Sequence, residues 1–205
     1  MTRIEQILSG LQSIVNDYSR FAIIWHALFY FLVAALLLKW TPSNRVFGML
    51  LCLPLLSVSL FAWAGGNPFN GSLFAIAAVL VFIFGLKAPD QPVETSGLIF
   101  FLAGIIMVSF GLIYPHFIKP ASFIGYLYAS PAGLIPCPTL SVLIGLALIF
   151  NGFGSQSISL LLIIFGLFYG AFGVFKLKVQ LDLFLLFGAV IYLIKYLLSI
   201  RVSAT

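Results

Sequence analysis

Long apolar runs alternate with short polar breaks along this chain. The runs cover about 21–38, 46–64, 72–86, 97–114, 138–150, 157–175 and 183–199. Most approach or reach the roughly 18 apolar residues that carry a helix across a hydrocarbon core of about 30 Å. Transmembrane strands would instead alternate in polarity over segments of about ten residues, and no such segment occurs. The pattern predicts an all-α, polytopic transmembrane helical bundle of about seven spans. The fifth run, 138–150, is short for a crossing. Read as re-entrant, it leaves six spans. Seven is preferred, because 122–150 is long enough to form one span broken in its middle.

The first twenty residues behave differently. Ile4, Ile7, Leu8, Leu11, Ile14, Val15 and Tyr18 recur at helical spacing among Arg3, Glu5, Asp17 and Arg20. That spacing predicts one amphipathic helix, lying in the membrane interface or packed on the bundle. The mixture of charges without a long apolar run is not a typical signal peptide. Residues 1–20 are therefore an interfacial helix and 21–200 the transmembrane domain. The breaks "GGNPFNGS", "KAPDQPVET" and "NGFGSQS" read as loops.

Composition supports lipid as the solvent. The chain is 62% hydrophobic and 7% charged, against about 25% charged in soluble domains. The net charge of +5 is spread over helix ends, where it suits headgroups. It forms no patch for nucleic acid. The ten Lys and Arg divide five and five between the two sides, so the positive-inside rule gives no orientation. Cys52 and Cys137 both lie in apolar surroundings, which is not a disulfide framework.

The strongest candidate site is "SPAGLIPCPTLSVLIG". Proline biases its preceding residue away from helix and suits a first helical turn. This predicts extended backbone through Pro136 and Cys137 and a helix starting at Pro138. Unpaired first-turn N–H groups near Thr139, Leu140 and Ser141 would then be electropositive. Non-helical backbone at membrane depth survives only within protein or beside a water-filled space. Three roles are open: an anion or polar group held at the helix start, a thiolate at Cys137, or a simple chain break with Cys137 as buried filler.

A second break falls at Pro54, and the two resemble one another. "PLLSV", with Pro54 and Ser57, aligns with "PTLSV", with Pro138 and Ser141. At the same offset Asn67 falls on Asn151. A repeat of three spans would be inverted, an arrangement that places transporter sites at paired broken helices.

Other chemistry is sparse. His26 follows Trp25 at the start of the first span, an interfacial pair. His116 is a candidate proton acceptor or ligand, or a loop residue at the headgroups. No Asp or Glu lies deep in a run; Asp182 and Lys195 come closest. Proton-driven transporters carry intramembrane ionisable groups, so proton coupling is not expected. The thiols, imidazoles and methionines do not assemble a soft metal site. No nucleophile, base and metal cluster has the spacing of a hydrolase, and no cofactor is called for. Gly166 and Gly170 form a GxxxG pair, with Ser141 and Gly145 at the same small-residue spacing. The Gly166/Gly170 face is a candidate contact for a second copy of the chain.

At "GLIPCPT" the sequence resembles an uncharacterised family of bacterial multi-pass integral membrane proteins with a Gly-x-Pro-Cys-Pro-Thr motif. Gly133, Pro136, Cys137, Pro138 and Thr139 correspond to it, and "NPFNGSLFA" resembles the family's Asn-Pro turn. The resemblance implies a bacterial inner membrane protein and no particular activity. The expected function is a small-molecule transporter or facilitator for a neutral or anionic solute. Its site would draw on Pro54, Ser57, Asn67, His116, Pro136–Thr139, Ser141 and Asn151. A non-catalytic membrane subunit and a thiol-based redox or sensor protein are the alternatives.

Overall fold

A computed structural model describes residues 3–38, 40–118 and 124–203. These form ten α-helices. No strand occurs among them, and a lone bridge joins Ser43 to Pro92. The first helix, α1 (Arg3–Asp17), meets α2 (Ser19–Leu37) at a bend of 71°. The apolar stripe of α1 does not face away from the protein. Leu11, Ile14 and Val15 are buried with Ala22, Leu134, Ile135, Leu177 and Val179. Of the two readings of this helix, packing across one end of the bundle is the one observed.

Among the described residues, four helical stretches are long and apolar enough to cross a bilayer: Asn44–Ala64, Pro68–Leu86, Gln156–Lys176 and Asp182–Arg201. The bent pair of α1 and α2 raises the number to five. The chain is thus a helical protein built for a membrane. Within Asn44–Ala64, α3 (Asn44–Leu50) passes into α4 (Cys52–Ala64) through Leu51, which keeps helical dihedrals of −63° and −18°. Pro54 sits in the first turn of α4 and does not break the span. Proline there removes the N–H that would have reached the Leu50 carbonyl, and the helical hydrogen-bond pattern is interrupted at Leu51 while the span keeps its course.

The helix α5 (Pro68–Leu86) begins inside the predicted loop. Asn67 caps it by accepting from the Asn70 N–H at 3.1 Å, and Pro68 occupies the first position, as helix starts favour. Two shorter apolar helices follow, α6 (Leu98–Ile113) and α8 (Pro136–Ile149), with the five-residue α7 (Gly125–Ala129) between them. At 1.5 Å per residue α8 is only about 21 Å long. It is the centre of the molecule: every residue from Pro138 to Phe150 is buried. Its neighbours are α6, α9 (Gln156–Ala171), α10 (Asp182–Ser203) and α4. A helix that is apolar all round belongs inside.

Small residues let these backbones approach. A Cβ on Gly104 would strike the Gly145 carbonyl and Ile149, and one on Gly111 would strike the Pro138 carbonyl. The Gly166/Gly170 pair works within the chain: Gly166 packs on Ile144 and Ala189, and Gly170 on the Leu186 backbone. The face expected to meet a second copy is therefore already occupied by α8 and α10.

The bundle has two distinct ends. At the near end lie α1, the turn at Gly65–Asn67, residues 114–118 and the connection from α9 to α10. At the far end Asn44 N–H donates to Gln91 O (2.8 Å), Ser96 N–H to Ile149 O (2.8 Å), and Lys195 Nζ to Asn151 Oδ1 (3.0 Å). The far end also holds a left-handed turn: Asn151, Gly152, Phe153 and Gly154 have φ of 49°, 66°, 56° and 60°. Such residues normally occur singly. Here Phe153 is fully buried, stacked on Phe47 with ring centroids 5.0 Å apart.

Candidate functional site

The start of α8 differs from expectation. Ile135 is extended (φ −128°, ψ 159°), but the helix already begins at Pro136. The bias of Pro138 against a helical Cys137 is outweighed, because neither proline removes an N–H that the first turn could pair. The electropositive start is correspondingly weak. Ile135 N–H donates to Pro131 O at 3.3 Å. Pro136 and Pro138 have no N–H, so of the first-turn donors only Cys137 N–H is left. The hydroxyls look inward: Thr139 Oγ1 donates to Ile135 O at 2.7 Å, and Ser141 Oγ to Cys137 O at 3.0 Å.

The segment ahead of α8 is knitted to three helices. Thr139 Oγ1 accepts from Gly133 N–H at 2.8 Å. Ser57 Oγ donates to Gly133 O at 2.7 Å and accepts from Trp25 Nε1 at 2.8 Å. Gly133 has φ +84°, and a Cβ there would fall inside the Trp25 indole. Thr139, Ser57 and Gly133 thus hold non-helical backbone in place with its polar groups paired, which membrane depth requires. Trp25 lies six residues into α2, about 9 Å from its start at helical rise.

Behind Cys137 lies a polar cluster that the sequence reading did not assemble. Cys137 Sγ donates to Asp182 Oδ2 at 3.3 Å, and Tyr114 OH donates to Asp182 Oδ1 at 2.7 Å. Asp182 is 2% exposed and opens α10, where a carboxylate complements the helix dipole. The side chain fits because Gly173 offers no Cβ against it. Asp182 stands at the end of its apolar run, as the sequence has it, but it is buried there. Asp182 lies at the edge of an apolar run, and only folding covers that edge with α6, α8 and the end of α9. The available sequence signal was a lone acid directly ahead of seventeen nearly uncharged residues, 183–199.

A cavity of about 830 Å³ opens beside Cys137 at the near end. Apolar residues of α1, including Ile7, Leu11 and Ile14, roof it. The start of α8 forms its floor, and the ends of α5 and α9 form its walls. Its polar lining is Gln6, Asn67, Asn70, Cys137, Tyr169 and Lys176. Tyr169 OH donates to Asn70 Oδ1 at 2.9 Å, joining the two walls.

Of the residues singled out in sequence, Asn67, Pro136 and Cys137 line this cavity. Pro54 and Ser57 are packing and scaffolding residues of α4, and Thr139, Pro138 and Ser141 are buried within the bundle. Asn151 lies at the far end, bound to Lys195, with the Lys195 Nζ 5.9 Å from the Phe100 ring centroid. His116 lines a separate shallow groove with Glu5 and Gln12, and burial lowers its pKa below the usual imidazole value. His26 is 1% exposed, its ring nitrogens 2.8 and 2.9 Å from the Ala22 and Leu112 carbonyls. Asn70, Tyr169, Lys176 and Asp182 are the site residues that sequence reasoning missed. No three His, Cys, Asp or Glu side chains among the described residues converge as metal ligands would.

Compared with known proteins, the chain matches no family model, and no curated protein or solved structure is found similar to it.

Proposed function

We propose that this protein binds a small molecule in the cavity beneath α1 and passes it across the membrane, as a transporter or facilitator. The observation that carries this reading is the cavity itself. It reaches from one end of the bundle to the start of a central, wholly surrounded helix. Interrupted helices near the midplane are the usual sites of secondary transporters. Asp182 adds an ionisable group one side chain behind the cavity floor, of the kind that proton-coupled transporters carry.

The same reading has seven passes. Contacts at the two ends alternate along the chain, so that α2, α3 with α4, α5, α6, α8, α9 and α10 each run from one end to the other. The inverted repeat of 21–86 and 97–175 belongs here too. Pro54 and Pro138 are both the third residue of their helices, and Asn67 and Asn151 lie at opposite ends. Against it, α4 packs chiefly on α5 whereas α8 packs chiefly on α6. Membership of the bacterial multi-pass family, and with it the inner membrane, is part of the proposal. Gly133 stands one residue further from Pro136 than the family motif has it.

The test is thiol access in membranes. In a Cys52→Ser background, a small water-soluble maleimide is expected to modify Cys137, and a ligand of the cavity to slow that reaction. A Cys137 and an Asn70→Cys thiol on the cavity wall that both stay unmodified in the folded protein overturn the reading.

A further inference from the structure

The cavity's surroundings say what kind of molecule fits it. On α9 and the π-helical turn that follows it, the lipid-facing stripe is Leu160, Ile164, Phe168, Phe172 and Phe175, each 36–64% exposed. On α5 the corresponding stripe is Phe69, Ile76, Val79 and Ile83, each 38–61% exposed. The cavity is walled by the near-end members of both stripes, Phe69, Phe168 and Phe172. Its side wall is therefore continuous with the surface that meets acyl chains. The Phe69 and Phe168 rings, 6.4 Å apart, form the sill between them. Its roof is an amphipathic helix bent 71° from the adjoining span, the orientation of a helix at the headgroup boundary.

Charge narrows the choice further. Lys176 is the charged side chain lining the cavity, and no Asp or Glu lines it among the described residues. Lys176 ends the π-helical turn Phe172–Lys176 that follows α9, and its side chain is exposed. A lysine there reaches the interface while its stem lies on apolar surface. Asn67, Asn70 and Tyr169 add amide and hydroxyl groups to the same lining.

We propose that the ligand is an anionic single-chain amphiphile of the fatty-acid class, which enters sideways from the bilayer. Its carboxylate rests on Lys176, and its chain lies beneath α1 against Phe69, Phe168 and Ile14, with the tail directed at Cys137. This rests on the transport reading of the same cavity and supplies its substrate class.

The experiment uses the full chain in phosphatidylcholine nanodiscs, with palmitic acid bearing a diazirine in its tail and with the methyl ester of the same probe. Cross-links mapped by mass spectrometry are expected to concentrate on Ile14, Cys137 and Tyr169, which line the cavity away from the lipid-facing stripes, over Ile76, Val79 and Ile164. The ester, or Lys176→Glu, lowers cavity labelling about fivefold, the upper range for one exposed ion pair, and leaves labelling of the lipid face unchanged. Equal labelling of cavity and lipid face overturns the proposal, as does equal labelling by acid and ester. Reaction of Cys137 with N-ethylmaleimide in the Cys52→Ser protein separates the two failures. If Cys137 reacts while the acid shows no preference, the amphiphile falls and the cavity stands as a site for a water-soluble solute. If neither probe reaches the cavity, both proposals fall.

Discussion

Cys137 Sγ donates to Asp182 Oδ2 at 3.3 Å, joining the first turn of α8 to the first turn of α10. The two residues are 45 positions apart. Tyr114 closes the group from the end of α6. Reactive cysteines sit beside cations; this one sits beside a carboxylate, and a thiolate-based sensor has no support in that geometry.

Replacing Asp182 tests this cluster. Asp182→Ala leaves the buried Tyr114 hydroxyl without its acceptor, and a lost partner of this kind costs about 1–3 kcal/mol. Asp182→Asn keeps one acceptor oxygen and should cost less. Thermal unfolding in detergent is expected to rank the variants wild type, Asp182→Asn, Asp182→Ala in falling order.

Gly133 and Gly10 should respond in opposite directions to alanine. At Gly133, φ +84° and the Trp25 indole both oppose a Cβ, and left-handed strain alone costs about 1–3 kcal/mol. At Gly10 nothing lies within 4 Å of the added carbon, and alanine within a helix gains about 0.5–1 kcal/mol over glycine. A lowered unfolding temperature for Gly133→Ala and an unchanged or raised one for Gly10→Ala are the expected pair.

Loosening the roof should expose the floor. Ile14 is 3% exposed and packs on Gly65 at the edge of the cavity. Ile14→Ser removes a buried aliphatic side chain, and aliphatic truncations of this type cost about 2–5 kcal/mol. Part of that loss is expected as local undocking of α1. Maleimide should then modify Cys137 faster, while the far-end amides keep their hydrogen-exchange protection.

Acid should weaken the contact between α1 and residues 114–118. Burial lowers the His116 pKa from its ordinary 6.5. The unfolded chain therefore takes up the proton first as pH falls through 6.5. The folded state loses relative stability below that value until its own lower pKa is passed. Protection factors for the α1 amides, with the intrinsic pH dependence of exchange divided out, are expected to fall between neutral and mildly acidic pH, and His116→Asn should flatten that dependence.

Much of the architecture was legible in the chain, residue by residue. The stripe from Ile4 to Tyr18 forecast α1, and the apolar runs forecast α2, α6, α9 and α10 to within a few positions. Prolines were less readable. Pro54 looked like an interruption of its span, which instead continues through Leu51, and Pro138 looked like the start of its helix, which instead begins two residues earlier at Pro136. Of the expected site, Cys137, Pro136 and Asn67 reach the cavity. Ser57 and Thr139 turned out to tie the loop at Gly133, a role set by neighbours more than 70 and six positions away respectively.

The sequence alone determined that lipid is the solvent, that the fold is helical, and that the chain changes course around Pro136, because hydropathy, periodicity and proline geometry are local properties. Tertiary structure alone decided that α8 is surrounded on all sides, that Asp182 lies behind Cys137, and that Asn70, Tyr169 and Lys176 share a cavity under α1. Those facts depend on which helix faces meet, and that is settled by the close approaches at Gly104, Gly111, Gly145, Gly170 and Gly173, whose partners are distant in the chain.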